Sequence, residues 1–455
     1  MGAPLEREPP ITYARVSAIA LPVVLSNGTA PLQGAIDTAI IGNLGSEVLL
    51  AAVAIGAAMF SLILGVFNFL QIGTSGPTAQ ALGAQINRRV INVMIRGLLL
   101  AAVIALILFF SSGMIARLGL SLFEGSDEAE ALAARYFTIR AYGFPAELGN
   151  YVVLGWFTGQ AMTRRMFEMQ LVISGVNIAL TLLLVLGLGW GITGVALGTA
   201  LASYCGLAYG LWRARQRCVE IAPSDYRLDW SRLLDRRELT QAMSLNRDIF
   251  IRSFLLVFCL MWMTRLGSTL GDTVLAANGI LMQFLHISAA ALDGFAIATE
   301  TLVGQAIGAG SRSRLRRAVI VSTIAALVLA MILSIAATAL GDPIIRGFTN
   351  VAAVREAADD VLLWATFLPL IGVLSYQFDG VFFGAADGPS MRNSMVLTAL
   401  VYLPLSWWMT ADFGNHGVWG SFWVFLLLRA LFLILRYPML EARASSATPS
   451  DNATV

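Results

Sequence analysis

Lysine is absent from this sequence: all 30 basic side chains are arginine. Charge of either sign is scarce. Charged residues make up 13% of the 455, against about 25% in an ordinary soluble domain. So few charges could not cover a water-soluble fold of this size. With 57% hydrophobic residues and a mean hydropathy of +0.75, the composition is that of an integral membrane protein. The net charge of +2 gives no electrostatic basis for a nucleic-acid partner. Cysteine is sparse too. Cys205, Cys218 and Cys259 form no CxxC pair and no disulfide framework. The two histidines, His286 and His416, are too few and too separate for a zinc site. An enzyme in the membrane would need clustered His, Cys or acids near one face, and there is no HExxH, no GxSxG elbow and no phosphate-binding glycine loop with lysine. The expectation is a non-enzyme with no metal and no cofactor. The N-terminus, MGAPLEREPPITYAR, lacks the basic-then-apolar start of a signal peptide.

What the chain does have is long apolar runs. A spanning helix needs about 20 mostly apolar residues. Such segments fall near 14–42, 47–73, 92–116, 133–160, 167–189, 191–212, 243–266, 273–301, 317–340, 357–386, 393–412 and 417–438. The sequence therefore predicts an all-α membrane protein of about twelve spans. The arginines cluster after the even-numbered spans, as at Arg88, Arg89, Arg164, Arg165, Arg312, Arg314, Arg316 and Arg317. The opposite loops hold fewer, diluted by acids such as Glu124, Asp127 and Asp359. By the positive-inside rule both termini are expected to be cytoplasmic.

The longest polar interruption, 213–242, reads as a cytoplasmic linker between a bundle over 14–212 and another over 243–438, with tails at 1–13 and 439–455. The later tail, small and polar, is expected to be disordered. The halves look alike. QALGAQ at 80–85 recurs as QAIGAG at 305–310, LLAA at 49–52 as VLAA at 274–277, and GWFTG at 155–159 as GVFFG at 380–384, all at one spacing of 225. This argues for duplication. An even number of spans per half gives both halves the same orientation, related by an axis along the membrane normal. The expected fold is two pseudo-symmetric six-helix bundles.

Ionisable residues inside the spans cost roughly 2.5–3.5 kcal/mol each on insertion scales and are functional candidates for that reason. Asp37 stands in LQGAIDTAIIG with no basic residue between Arg15 and Arg88. Pro22, about four turns before it, is a candidate kink. In the fifth span Asn177 and Thr181 share a face. With Asn150 and Tyr151 in the fourth span and Thr199 in the sixth, they could line a polar chamber around Asp37 or simply tie helices together. In the eighth span His286, Asp293 and Glu300 repeat every seven residues, a stripe suited either to proton relay or to structural pairing. Asp248 and Arg252 are spaced as a structural i,i+4 pair, and Asp379 has no basic residue near it in sequence.

The stretches PVVLSNGTAPLQGAIDTAIIGNLG (22–45), SGVNIALTLLLVLGLGWGITGVALGTALAS (174–203) and FDGVFFGAADGPSMRNSM (378–395) resemble the multidrug and toxic compound extrusion (MATE) transporters, above all their DinF-like branch, over about 13–438. The resemblance implies export of amphipathic, often cationic, organic compounds driven by inward H⁺ or Na⁺. It implies that Asp37 is the main coupling residue, that Asn150, Asn177 and Thr199 belong to a chamber in the first half, and that the first helix bends at Pro22. Relatives that carry an acid one turn after the fifth-span Asn use it beside Asp37. Here that position is Thr181, which favours H⁺ over a dedicated Na⁺ site. A bacterial inner membrane and a monomer are the expected setting. The rival expectation is a flippase of lipid-linked precursors, for which Arg140, Arg252 and Arg429 would be the cavity cations.

Overall fold

A computed structural model describes residues 10–42, 46–121, 126–222, 226 and 229–446, and among these there is no β-strand. The helices are α1 (Tyr13–Gly42), α2 (Glu47–Phe67), α3 (Phe69–Gly83), α4 (Asn87–Leu120), α5 (Asp127–Ala141), α6 (Phe144–Gly159), α7 (Thr163–Thr181), α8 (Gly191–Ile221), α9 (Trp230–Leu233), α10 (Arg236–Thr269), α11 (Asp272–Gly308), α12 (Arg312–Phe348), α13 (Ala352–Asp360), α14 (Leu362–Thr366), α15 (Leu368–Gly384) and α16 (Gly388–Ser446). A π-helical segment, Leu182–Gly187, continues α7.

Local chemistry sets the boundaries. Ser46, Ser126 and Asp235 cap α2, α5 and α10 by accepting backbone N–H bonds. Prolines sit in the first turns of α6 and α15, where a missing N–H costs nothing. Gly414, at φ 56°, breaks α16 into two passes. With α2–α3, α5–α6 and α13–α15 each read as one interrupted crossing, the described chain makes twelve passes. Nine of its helical stretches are long and apolar enough to cross a membrane by length and composition alone. Leu106, Ile107, Phe110 and Met114 are exposed along one outer face of α4, as lipid contact requires.

The connector between halves is shorter than the sequence suggested. Helix α8 runs on to Ile221, and α10 begins at Arg236. Helix α16 likewise continues to Ser446 within the stretch expected to be a disordered tail. The rest of that tail, residues 447–455, and residues 1–9 of the first tail lie outside the described residues.

Helices α1–α8 pack mainly among themselves, as do α10–α16, and the halves meet where α1 and α3 lie against α11. The duplicated motifs face each other across this seam. A β-carbon at Gly83 would strike the Gln305 carbonyl, and one at Gly308, its repeat equivalent, would strike the Gln80 carbonyl. The glutamines cross over as well: Gln80 Nε2 donates to the Gly384 carbonyl at 2.9 Å, and Gln305 Nε2 to the Gly159 carbonyl at 3.5 Å. Even the rare backbone conformations repeat, with φ of 60° and 62° at Gln85 and Gly310, and 59° and 52° at Ala161 and Ala386. The seam therefore closes the arginine-rich end of the molecule along a pseudo-two-fold axis.

Candidate functional site

Two polar regions lie among the helices, one inside a bundle and one between the two. The first is in the amino-terminal half, towards the end remote from the seam. Asp37, half-buried on α1, faces the Thr181 hydroxyl at the end of α7, with the Arg140 guanidinium of α5 within range of its charge. The π-helical segment begins directly after Thr181, a helix irregularity common at functional sites. One helical turn back, Asn177 Nδ2 donates to Thr199 Oγ1 on α8 at 2.9 Å. The Ser203 hydroxyl, a turn further along α8, donates to the Glu147 carboxylate on α6 at 2.8 Å, with the Thr199 carbonyl at 3.1 Å as the alternative acceptor. Glu147 in turn pairs with Arg140 at 3.2 Å. Asn150 donates to the Ser203 carbonyl at 3.1 Å, and Tyr151 lies near Glu147 and Arg140.

This network leaves acceptors unanswered. Asp37 Oδ1, Asn150 Oδ1, Asn177 Oδ1 and Thr181 Oγ1 are all buried without a hydrogen-bond partner. Each such atom costs about 1–3 kcal/mol, so several in one chamber are retained only for a purpose. Their chemistry, hard neutral or anionic oxygen, suits a proton or a small hard cation. The other half has no copy of the chamber. There the repeat equivalents of Asp37 and Thr181 are Trp262 and Ser406, joined by a 3.0 Å hydrogen bond, and that of Asn177 is the fully buried Tyr402.

Asp37 is thus not isolated from all charge. The basic residue that sequence distance ruled out arrives from α5, but it is engaged by Glu147. Glu147 and Ser203 were not singled out from sequence. The only signal was an acid seven residues after Arg140 in an apolar segment. Pro22 lies within a helix that is continuous from Tyr13 to Gly42, and the Ser26 hydroxyl donates to its carbonyl at 2.8 Å.

The second region is a cavity of about 430 Å³ between the halves, above the seam. His286, Asp293 and Glu300 all line it, so the heptad stripe faces one space, together with Asp379, Arg252 and Arg429. Asp379, with no basic residue near it in sequence, is paired through space: Arg252 and Arg429 both donate to its Oδ2. One sequence reading needs correction. Arg252 does not pair with Asp248, which instead binds Arg247 at 3.0 Å and Arg392 at 2.7 Å. Packing against α15 and α16 overrides the i,i+4 spacing on α10. The described residues contain no cluster of three His, Cys, Asp or Glu able to hold a metal. A larger cavity of about 640 Å³ opens beside α3, α4 and α10 and contains none of the expected site residues other than Asp248.

The MatE family model matches residues 22–183 and 249–408, one block in each half. The chain is 37% identical to the DNA damage-inducible protein F of Escherichia coli K12 over 91% of its own length and 90% of that protein. It is 22% identical to the multidrug export protein MepA of Staphylococcus aureus, covering 94% of each chain. Crystal structures of a MATE protein in straight and in bent conformations both align at a TM-score of 0.84 and 19% identity, covering 96% and 95% of this chain and 97% of each of those. At that identity the structures speak for the fold alone, and the two-bundle fold is the one they share. The matched blocks in both halves and the full-length likeness to DNA damage-inducible protein F place this chain in the MatE family of multidrug and toxic compound efflux transporters, in its DinF-like branch.

Proposed function

We propose that the protein is a secondary active antiporter of the cytoplasmic membrane that exports amphipathic, often cationic, organic compounds in exchange for inward H⁺. The observation that carries this reading is the set of unanswered buried oxygens around Asp37, a half-buried acid that, unlike its neighbour Glu147, makes no ion pair among the described residues. Such a chamber holds a proton well when it opens to the proton-rich side. It gives the proton up when a conformational change alters its surroundings. The coupling lies in the different affinities of the two states for H⁺ and for cargo. Helix α1 joins the two events because it carries both Asp37 and Pro22 and packs against α7 in its own half and α11 in the other. A change of bend at Pro22 would move Asp37 relative to Thr181 and Asn177.

The arginine-rich loops support cytoplasmic termini. Sodium would use the same oxygens. Asp37 is the one carboxylate of the chamber not paired with an arginine, since Glu147 is held by Arg140, and one such carboxylate favours the proton. The flippase reading is weaker, because Arg252 and Arg429 share one carboxylate and a phosphate in this cavity would meet Asp293, Glu300 and Asp379 as well. The deciding experiment is dye efflux from proteoliposomes under an imposed pH gradient and, separately, an imposed Na⁺ gradient. Transport of a cationic dye driven by the pH gradient and lost in Asp37→Asn is expected. Movement driven by neither gradient would refute the antiport.

A further inference from the structure

The two walls of the central cavity are repeat equivalents of each other but differ in charge. Asn27, Asn68 and Ser75 line it from the first half. Their counterparts in the second half, Arg252, Asp293 and Glu300, line it from the other side. Duplication placed polar side chains on both walls, and only the second wall carries charge. Those charges are not consumed by one another. Arg252 and Arg429 are each about 95% buried, yet each donates through Nη2 alone, and both to the same oxygen of Asp379. Their remaining donors have no hydrogen-bond acceptor among the described residues. Asp293, close enough to both arginines to feel their charge, makes no hydrogen bond or ion pair among the described residues. Phe383 lies beneath Arg252 at 4.7 Å and Phe425 beneath Arg429 at 5.6 Å, giving the polar group an apolar floor.

A purely cationic ligand would meet two guanidiniums here, and a purely anionic one would meet three carboxylates, those of Asp293, Glu300 and Asp379. Either would bury a charge beside its own sign. We propose that the central cavity binds an amphipathic zwitterion of the amino-acid type, with its carboxylate on the free donors of Arg252 and Arg429, its ammonium group on Asp293, and its apolar body against the cavity's aromatic and leucine side chains. Both ligand charges then find partners, and so do Arg252, Arg429 and Asp293. This site is separate from the Asp37 chamber; only its use in export rests on the efflux function proposed above.

The test is equilibrium binding to the full chain in phosphatidylglycerol nanodiscs, with no gradient imposed. The probes are Nε-dansyl-lysine, its methyl ester, which is only a cation, and its Nα-acetyl derivative, which is only an anion. The zwitterion is expected to bind about tenfold or more tighter than either masked form, the size of a lost hydrogen bond to a charged group. Arg429→Gln should abolish the preference over the ester. Asp293→Asn should abolish the preference over the acetylated form. Asp37→Asn should leave all three affinities unchanged, which keeps this result independent of proton coupling. Equal binding of the three probes by the wild-type chain, or tighter binding of either masked form, overturns the proposal whatever the variants do. Loss of zwitterion binding when phosphatidylethanolamine replaces phosphatidylglycerol would also overturn it, by assigning the cavity to a lipid headgroup.

Discussion

An acid in a membrane helix has to be explained by its neighbours, and two of this protein's inward-facing aspartates, Asp37 and Asp379, are held by opposite means. Asp37 has one distant, already engaged arginine and a set of unsatisfied oxygens. Asp379 has two arginines on one oxygen. The consequences of neutralising them differ accordingly. Asp37→Asn keeps the shape and removes a group that gains nothing from a full ion pair, so thermal stability in detergent should stay within about 1 kcal/mol, while pH-driven efflux falls to background. A large loss of stability in that variant would mean that Asp37 is structural. Asp379→Asn leaves two buried guanidiniums side by side without their counter-charge. Removing one partner of a buried pair costs about 3–5 kcal/mol, so the melting midpoint of this variant should drop sharply. An unchanged midpoint would show that the arginines are neutralised by something else. The contrast also marks what sequence can reveal. Asp37 stood out because its surroundings in sequence are apolar. The partners of Asp379 lie 127 and 50 positions away, on other helices, and nothing in local spacing selects them over Asp248 for Arg252.

Among the elements, the seam between α3 and α11 is where the repeat becomes geometry. The glycines of QALGAQ and QAIGAG were legible as a repeat. That Gly83 lies over the backbone of Gln305, and Gly308 over that of Gln80, required the fold. Gly83→Ala and Gly308→Ala should each destabilise the chain by about 1–3 kcal/mol, because a methyl group meets a backbone carbonyl that cannot step aside as a side chain can. The two substitutions push the same crossing apart, so the double variant should lose less than the sum of the singles. Additive losses in a thermal-shift series would mean that the two contacts are independent and the seam is not one unit. The interruptions within crossings were harder to foresee. The change of helix at Asn68 and the π-helical turn after Thr181 follow from packing between neighbouring helices, and carry no proline or glycine at the break itself.

For the molecule as a whole, the number of crossings, the duplication and the common orientation of the halves all follow from patterns of period and spacing, which survive in sequence. Which end is closed does not, because the seam and the cavity above it belong to one of at least two arrangements of the same helices. In the arrangement described, glycine contacts and crossed glutamines seal the arginine-rich end, and the central cavity lies beyond them. If the arginine-rich loops are cytoplasmic, this state opens outward. Gln71 lines the cavity just above the seam, so a single cysteine there reports the open side. With Cys205, Cys218 and Cys259 replaced by serine, Gln71→Cys should react with a membrane-impermeant maleimide in right-side-out vesicles and resist it in inverted ones. Imposing an outward-directed cargo load should shift some reactivity to the inverted vesicles, as alternation demands. Gly83→Ala should do the same without cargo, because it loosens the seal that keeps the cytoplasmic end shut. Equal labelling from both sides in the resting protein would describe a channel, and the pseudo-symmetric seam would then have to be assigned a role other than closing one end at a time.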